Sequence, residues 1–515
     1  MSLWQDVITT ALVGTERRTL TLTPATNPLG QLLSQLNPTD PEATLLSAAG
    51  AISLYHRAGQ RAITDNQPLP QPCPPEDKPP CSPRAAHYLK LMLQKERAKL
   101  LPEWLTTAAT AGYRVPDYCL PELLEVGRTS PQLRPEILPI LGQRGRWLAT
   151  HNPDWNYVGD EDIEQTWTRG SLDARKLLLH HLRREHPASA RERLVAVWQQ
   201  EPSDGRIALL ETFQIGLNRE DEAFLDTALD DRRQEVRRQA ANLLAQLPES
   251  ALCQRMQQRI QSAITFRRRR NRLLLDFILP DYNEQEITRD GIDSKQPPQL
   301  LGNKAWMILQ IVAATPLSLW SELQEESPAE WIQAAKRSEW DRSLVEGWAV
   351  AAMGQQNPEW AEVLLPFYST FKGYLIPQNQ LISGLIDVLY PEQRDSFFLN
   401  LFQSRKVAFD SKHPAFTLLT HYHSPWSTEL TGTVLEGVRR YLATTDNPYD
   451  WSLSTALKEF AYFMSPDIVP ELSTRLTNIV PERSALASYW TEVMDEVLAI
   501  LNLRYEMNGM QKFQV

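Results

Sequence analysis

Apolar residues recur along most of the chain at spacings of three and four, the pattern of a helix that buries one face. The stretch DDRRQEVRRQAANLLAQLP, residues 230–248, has apolar residues at Val236, Ala240, Leu243, Leu244 and Leu247. No convincing run alternates apolar and polar residues over the length of a strand, and no Asn-Gly turn stands between two such runs. The pattern therefore predicts an all-α fold.

Proline marks many of the predicted helix starts. The chain has 37 prolines and only 21 glycines. Asn or Ser accepts hydrogen bonds from the first free amides of a helix, and proline fits its first turn. We therefore predict helix starts at Asn152-Pro153, Ser327-Pro328, Asn357-Pro358, Ser424-Pro425 and Ser465-Pro466.

A step of about 31 residues relates three arginines in the middle of the chain, Arg175, Arg206 and Arg237. Each arginine follows an acid by two positions, in the windows DARKLLLHHL, DGRIALLETF and EVRRQAANLL. The same step aligns positions of the preceding helix, Ile163, Leu194, Leu225 and Trp167, Trp198, Leu229. A weaker fourth copy runs through Met256, Ile260 and Leu275. The step predicts stacked helix pairs, because one pair alone does not bury its apolar stripe.

The stretch at residues 230–248 resembles a HEAT repeat, with an acid, then Val-Arg, then Ala-Ala and leucines. In such repeats the acid and the arginine form a ladder between adjacent units. Asp231 and Arg237 match that spacing, whereas the first two copies have no acid at the equivalent position. The resemblance therefore implies an incomplete ladder. The resemblance also implies that the arginines of this stretch are mainly structural. The alternative is that they bind phosphate or an acidic partner.

The predicted architecture is a HEAT-like α-solenoid with helical regions at both ends. We place an N-terminal helical region at residues 1–160, the repeats at 161–280 and a C-terminal helical region at 301–515. A polar, proline-ended linker at 281–300 separates the last two. The proline-rich stretch 66–83 is expected to form an extended loop, either solvated or docked in a groove of a partner.

A second group of arginines, the candidate interaction patch, follows the repeats: Arg267, Arg268, Arg269 and Arg270. Between residues 169 and 272 there are 20 Lys and Arg against 14 Asp and Glu, although the whole chain has a formal net charge of −10. On a helix, four consecutive arginines point in all directions, so some of them face solvent.

An acidic protein surface is the favoured counterpart of this patch, and the chain's own C-terminal half is one possible source of it. Binding of RNA or DNA, with a strong dependence on salt, is the alternative. The flanking Ile264, Phe266 and Leu273 are expected to be core contacts and not platforms on which bases stack.

The composition is that of an ordinary soluble protein, with 42% hydrophobic and 23% charged residues. The net negative charge argues against a general nucleic-acid or membrane binder. The four cysteines form no CxxC pair, so neither a zinc ribbon nor a disulfide framework is expected. Because we find no signal peptide and no apolar run of membrane length, we expect a cytoplasmic protein.

Sequence motifs give no sign of catalysis, since neither GxSxG nor HExxH occurs. The best metal candidates are His413, His421 and His423, but the last two would diverge on a helix. We therefore predict that the protein is not an enzyme and has no cofactor or metal. A hydrolase or transferase with an unrecognised site is the remaining alternative.

The segment LGQRGRWLATHNPDW, residues 141–155, contains a distinctive cluster: Gly142, Arg144, Gly145, Arg146 and Trp147. It superficially resembles a phosphate loop, but it matches neither GxxxxGK[ST] nor a GxGxxG that follows a strand. We expect the two glycines to supply a turn at a helix end, so that the cluster is structural and not a contact site.

This segment, together with ALVGTERR (residues 11–18), GWAVAAMGQQNPEWAEVLL (347–365) and HSPWSTELTGTVLEGVRR (423–440), resembles a bacterial helical-repeat family without an established activity. The family is found chiefly in cyanobacteria and actinobacteria. Its members tend to be encoded beside a MoxR-type AAA+ ATPase, a von Willebrand factor A protein and a SWIM zinc-finger protein. The resemblance implies a part in an ATPase-driven assembly or chaperone-like system. We predict a non-catalytic scaffold that binds a protein partner, such as that ATPase or the von Willebrand factor A protein, and no membrane.

Overall fold

The computed structural model describes residues 3–22, 27–59, 71–158, 163–270, 272–280, 282–293, 295, 297, 302–368, 377–403, 408–445, 449–471 and 487–509. The chain divides into two compact units, Met1–Pro72 and Cys73–Val515. Within the described ranges helices form almost all the regular structure, and one two-stranded sheet is the exception. The prediction of an all-α fold is confirmed. No helix in these ranges combines the length and the apolar character that a bilayer crossing requires.

The first unit contains three described helices, α1 (Leu3–Val13), α2 (Pro28–Leu33) and α3 (Pro41–Gly59). The side chain of Asn27 caps α2 because it accepts a hydrogen bond from the amide of Gly30 at 2.7 Å. The core of this unit, as far as the structure describes it, contains four buried apolar side chains: Val7, Leu33, Ala48 and Ile52. Leu12 and Leu46 stay exposed by 82% and 73%, so the unit leaves much apolar surface uncovered.

The second unit begins with α4 (Pro83–Leu93), α5 (Leu101–Thr110), α6 (Leu120–Thr129), α7 (Arg134–Ile137) and α8 (Gly142–Thr150). Short 3₁₀ helices lie between and after them, at Ala98–Leu100, Asp117–Cys119, Pro131–Leu133, Leu138–Ile140 and Pro153–Val158. Trp104, Leu105, Leu120 and Leu123 are buried in the core that these helices share.

The predicted repeats form α9 (Ile163–Arg169), α10 (Leu172–Glu185), α11 (Pro187–Val197), α12 (Ser203–Leu210), α13 (Glu222–Ala228), α14 (Gln234–Leu244) and α15 (Ala251–Ala263). The 3₁₀ helices Glu211–Gln214 and Arg219–Asp221 lie between α12 and α13. The helices that carry Arg175, Arg206 and Arg237 are α10, α12 and α14, and they pack against one another in that order. The predicted stacking of the arginine-bearing helices is therefore present.

The chain leaves α15 as an antiparallel hairpin of β1 (Ile264–Arg269) and β2 (Arg272–Phe277). The prediction that the candidate interaction patch lies on a helix is wrong. Isoleucine, threonine and phenylalanine at the start of β1 favour a strand, and alternate residues of the hairpin are buried. The fourth repeat copy is also incomplete, because Met256 and Ile260 lie on α15 whereas Leu275 lies on β2.

The C-terminal part contains α16 (Glu284–Arg289), α17 (Asn303–Ala313), α18 (Ser318–Leu323), α19 (Pro328–Ala335), α20 (Asp341–Gly354), α21 (Pro358–Tyr368), α22 (Gln378–Val388), α23 (Pro391–Gln403), α24 (Pro414–Leu419), α25 (Thr428–Thr444), α26 (Trp451–Phe460) and α27 (Ala487–Gly509), with a 3₁₀ helix at Pro466–Ile468. Trp320, Trp331, Trp348 and Trp360 form a buried aromatic group within it. One continuous core joins these helices to the repeats.

Helix starts follow the Asn-Pro and Ser-Pro pairs in most cases. Ser327 caps α19 in a capping box with Glu330, and Asn357 accepts a hydrogen bond from an amide at the start of α21. The prediction at Ser424-Pro425 is wrong. Here α25 begins three residues later, where the side chain of Ser427 caps it instead.

The last helix of the second unit returns to the first helices of that unit. On α27, Arg504 Nε donates to Glu103 Oε2 of α5 at 2.7 Å, and its Nη1 donates to the carbonyl of Ala461 at 2.9 Å. Met507 is buried in the same core as Trp104. These contacts tie the C-terminal region to the helices before the repeats.

Candidate functional site

Two of the three repeated arginines form a ladder between consecutive repeat units. Arg175 donates from Nη2 to Glu201 Oε1 at 2.6 Å and from Nη1 to Glu201 Oε2 at 2.9 Å, which is a bidentate ion pair. Arg206 Nη1 lies 3.0 Å from Asp231 Oδ2. The two guanidinium groups also lie over the rings of Trp167 and Trp198, at 5.5 and 5.6 Å. We call this arrangement the arginine ladder.

The ladder does not use the pair that the HEAT resemblance implies. Asp231 receives Arg206 of the preceding unit, and Arg237 instead donates to the carbonyl oxygens of Asp231 at 2.7 Å and Thr288 at 3.2 Å. Glu201 follows its arginine by 26 residues. The implied pairing of Asp231 with Arg237 is therefore wrong at the level of the side chains.

Other arginines of the repeats are also paired within the chain. Arg183 and Asp221 are completely buried and form an ion pair at 2.7 Å, which Arg191 joins at 2.9 Å. Arg255 and Arg259 share the carboxylate of Asp290, at 2.7 and 2.6 Å. These side chains hold units together, and they support a structural role for the repeat arginines.

The hairpin of β1 and β2, which we call the arginine hairpin, packs one face on the C-terminal helices. Ile264, Leu273, Leu275 and Phe277 are buried there. Phe266 packs against Trp331 with ring centroids 5.7 Å apart, and Trp340 Nε1 donates to Asp276 at 3.1 Å. The prediction that Ile264, Phe266 and Leu273 are core contacts is confirmed. Arg268 is the patch residue that pairs with the C-terminal region, through Glu326.

The other three patch residues and Arg272 of the hairpin face solvent. Arg267 and Arg269 lie on β1, Arg272 lies on β2 directly opposite Arg269, and Arg270 follows β1 with φ +49°. All four are exposed. None of them forms an ion pair with another residue in the described ranges. Like charges directly opposite each other destabilise a strand pair, and no ion pair within the described ranges offsets this cost.

The GQRGRW cluster supports the start of α8. The carboxylate of Glu76 accepts from the amides of Gln143 at 2.8 Å and Arg144 at 3.0 Å. Gly142 has φ +65°, and a Cβ there would lie 2.4 Å from Glu76 Oε2. The position that a phosphate would take at this helix N-terminus is therefore occupied by a carboxylate of the chain.

The remaining cluster residues also make contacts within the chain. Arg144 pairs with Asp117, and Arg146 donates to the carbonyl of Leu138 at 3.4 Å. A Cβ on Gly145 would lie 2.8 Å from the Cβ of Leu141, and Trp147 meets His151 edge to face at 4.5 Å. These contacts tie the cluster to neighbouring parts of the chain. The prediction that both glycines supply a turn at a helix end is wrong for Gly145, which lies buried inside α8.

The described part of the proline-rich stretch lies against the same helices. Lys78 Nζ donates to the carbonyl of Pro139 at 2.9 Å, and Pro80 pairs with Arg114 in a parallel β-bridge. Positions 66–70 of the predicted loop lie outside the described residues. The polar segment 281–300 contains α16, and its Asp290 and Asp293 are buried.

A groove of about 650 Å³ lies between the repeats and the C-terminal helices. One wall consists of α14 and the two residues after it, and the other consists of α17 and the end of α20. The turn at Gly291 packs closely against Ala241. A Cβ added to Gly291 would lie only 2.7 Å from the Cβ of Ala241. The groove depends on long-range packing, and sequence analysis did not find it.

His413, Cys81 and Cys253 lie in the core of the fold. His413 Nδ1 caps α24 by accepting from the amide of Ala415 at 3.1 Å, and its ring stacks on Phe402. Within the described residues no group of three or more His, Cys, Asp or Glu side chains is arranged to hold a metal ion. Burial raises the pKa of Cys81 to about 12 and that of Cys253 to about 11, so both thiols stay protonated near neutral pH.

Stacked helices and an internal arginine ladder define an all-α helical-repeat protein, with the small hairpin as its only sheet among the described residues. A family model described as a family of unknown function, DUF5691, matches residues 6–510. The chain therefore belongs to this family. Comparisons with curated proteins and with solved structures found no match.

Proposed function

We propose that the protein is a non-catalytic scaffold that binds an acidic surface of a protein partner through the arginine hairpin. The contrast between paired and unpaired arginines carries this proposal. Arg175, Arg183 and Arg206 have carboxylates inside the chain, whereas Arg267, Arg269, Arg270 and Arg272 have none among the described residues. Stacked repeats suit this role because they position binding surfaces without a catalytic pocket.

The hairpin is better suited to an acidic protein than to nucleic acid. Single strands bind on exposed aromatic platforms, but Phe266 and Phe277 face the C-terminal helices. The open face carries Thr265, Leu274 and Asp276 beside the arginines.

The partners to test first follow from the family resemblance. We expect the counterpart to be the MoxR-type AAA+ ATPase or the von Willebrand factor A protein that is encoded beside members of the family. The patch would then dock on a surface rich in Asp and Glu. Each exposed ion pair contributes roughly 0.2–1 kcal/mol, so several must act together.

The test compares two variants that each lose four exposed arginines. The hairpin variant carries Arg267→Gln, Arg269→Gln, Arg270→Gln and Arg272→Gln. The scattered variant carries the same change at arginines that are exposed and have no ion pair among the described residues: Arg169, Arg184, Arg232 and Arg337. Fluorescence anisotropy then measures the binding of five ligands over a range of salt concentrations. The ligands are the ATPase, the von Willebrand factor A protein, polyglutamate, duplex DNA and single-stranded RNA.

We expect the hairpin variant to bind a partner and polyglutamate at least about tenfold more weakly, and the scattered variant to lose much less. Equal losses in both variants would reduce the effect to net charge and overturn the proposal. The alternative function would be established by two results together. The wild type would bind nucleic acid more tightly than either protein, and the hairpin variant would lose both this binding and its dependence on salt concentration.

A further inference from the structure

The groove along α14 differs from the arginine hairpin because its charged groups are already neutralised. Arg238 Nη2 lies 3.2 Å from Asp293 Oδ2. Asp290, at one end of the groove, is paired with Arg255 and Arg259. The groove therefore attracts neither an anion nor a cation strongly, and a neutral ligand suits it.

The polar lining that remains consists mostly of carboxamides. Asn242 is exposed on α14, and Gln246 follows one turn later, with its Nε2 donating to the carbonyl of Asn242 at 3.1 Å. The carboxamide of Asn242 has no partner among the described residues. A carboxamide both donates and accepts, so it matches a ligand that presents N–H and C=O groups together.

The opposite wall adds a fixed amide and a buried donor. Gln310 is held in place, since its Oε1 accepts from the amide of Asp293 at 2.9 Å and its Nε2 donates to the carbonyl of Asp293 at 3.0 Å. Trp306 Nε1 is buried in this wall and has no acceptor among the described residues. Small side chains keep the floor open, among them Ala241, Ala245 and Ala313.

We propose that this groove binds an extended peptide segment of a partner protein through the peptide main chain. The row from Arg238 to Gln246 covers the last turns of α14 and the two residues after it, about 12 Å at the helical rise, which is room for about four extended residues. Main-chain groups supply the donor and acceptor that the carboxamide of Asn242 lacks within the described residues, and short apolar side chains of the peptide fit the alanine-lined floor. The inference is independent of the hairpin, which lies outside the groove lining.

The test starts from peptides selected on the full-length protein from a phage-displayed library of random dodecapeptides. Labelled synthetic copies are then titrated by fluorescence anisotropy against the wild type, Ala245→Trp, Asn242→Ala and the hairpin variant defined above. Ala245→Trp fills the groove, and Asn242→Ala removes one exposed carboxamide without touching the core. Circular dichroism checks that both variants fold. A second peptide series carries N-methyl groups at successive main-chain nitrogens.

We expect Ala245→Trp to weaken binding at least about tenfold and Asn242→Ala to weaken it about threefold to tenfold, with the hairpin variant unchanged. N-methylation at two or more central positions should cost a similar factor, because it removes main-chain donors. The inference is overturned if no selected peptide depends on the groove residues, or if binding depends on the hairpin instead. It is also overturned if N-methylation has no effect at any position, since side chains would then be recognised and not the main chain.

Discussion

The arginine ladder and the arginine hairpin place the same side chain in two different electrostatic settings. In the ladder, Arg175 and Arg206 each reach a carboxylate of the next unit and lie over a tryptophan ring. In the hairpin, Arg269 and Arg272 lie opposite each other on neighbouring strands and have no carboxylate partner within the described ranges. The first arrangement ties neighbouring repeats together, whereas the second leaves its charge without an ion pair among the described residues.

The difference between the two regions lies in the position of the acidic residues. An arginine pairs within the stack only where an Asp or Glu of the next unit lies within reach. Glu201 comes 26 residues after Arg175, and Asp231 lies at nearly the same distance from Arg206. Ser262 and Ala263 occupy the equivalent positions after Arg237, so the ladder has no further acid. The chain turns into a strand directly after this point, and the unpaired arginines follow.

The largest expected effect comes from breaking the buried pair of the repeats. Asp221→Ala leaves the completely buried Arg183 without its carboxylate. We expect the variant to lose about 3–5 kcal/mol of stability, because an uncompensated buried charge is costly. Urea unfolding followed by circular dichroism measures this loss. Glu220→Ala is the matched control, since Glu220 pairs with Arg191 on the surface and should matter little. Equal losses of stability in Asp221→Ala and Glu220→Ala would show that the buried pair of Arg183 and Asp221 contributes no more than a surface pair.

A smaller loss is expected when one rung of the ladder is removed. Arg206→Ala deletes the half-buried ion pair to Asp231 and the contact with Trp198. We expect a loss of about 2 kcal/mol in the same unfolding measurement. Arg219→Ala, which removes an exposed pair with Glu249, should cost less than about 0.5 kcal/mol. A loss from Arg206→Ala no greater than that of the control would show that the ladder is incidental.

Sequence patterns predicted the stacked helices because local periodicity carries that information. The apolar stripe of α14 and the step that relates Arg175, Arg206 and Arg237 lie within short windows. Local periodicity does not predict which acidic residues pair with the ladder arginines. Asp231 pairs with the arginine of the previous unit, and only the packing of α12 on α14 brings the two together.

The hairpin and the groove escaped sequence reasoning for two different physical reasons. In the hairpin, the period-two signal of Ile264, Phe266, Leu273, Leu275 and Phe277 was present, but the arginine run and the half-buried Leu274 obscured it. The groove has no local signal, because its walls come from helices far apart in the chain. Nothing in the sequence alone places Asn242 opposite Trp306.

The smallest expected effect concerns stability in the hairpin and has the opposite sign. Replacing Arg267, Arg269, Arg270 and Arg272 with glutamine removes the like charges of Arg269 and Arg272, which lie opposite each other, together with two neighbouring charges, so we expect stability to stay constant or to rise by about 0.2–1 kcal/mol. Added salt should narrow the difference between this variant and the wild type, because salt screens exposed repulsion. Unfolding at low and at high ionic strength measures both effects. A clear loss of stability would mean that these arginines stabilise the fold as the ladder arginines do, and the contrast between the two regions would then fail.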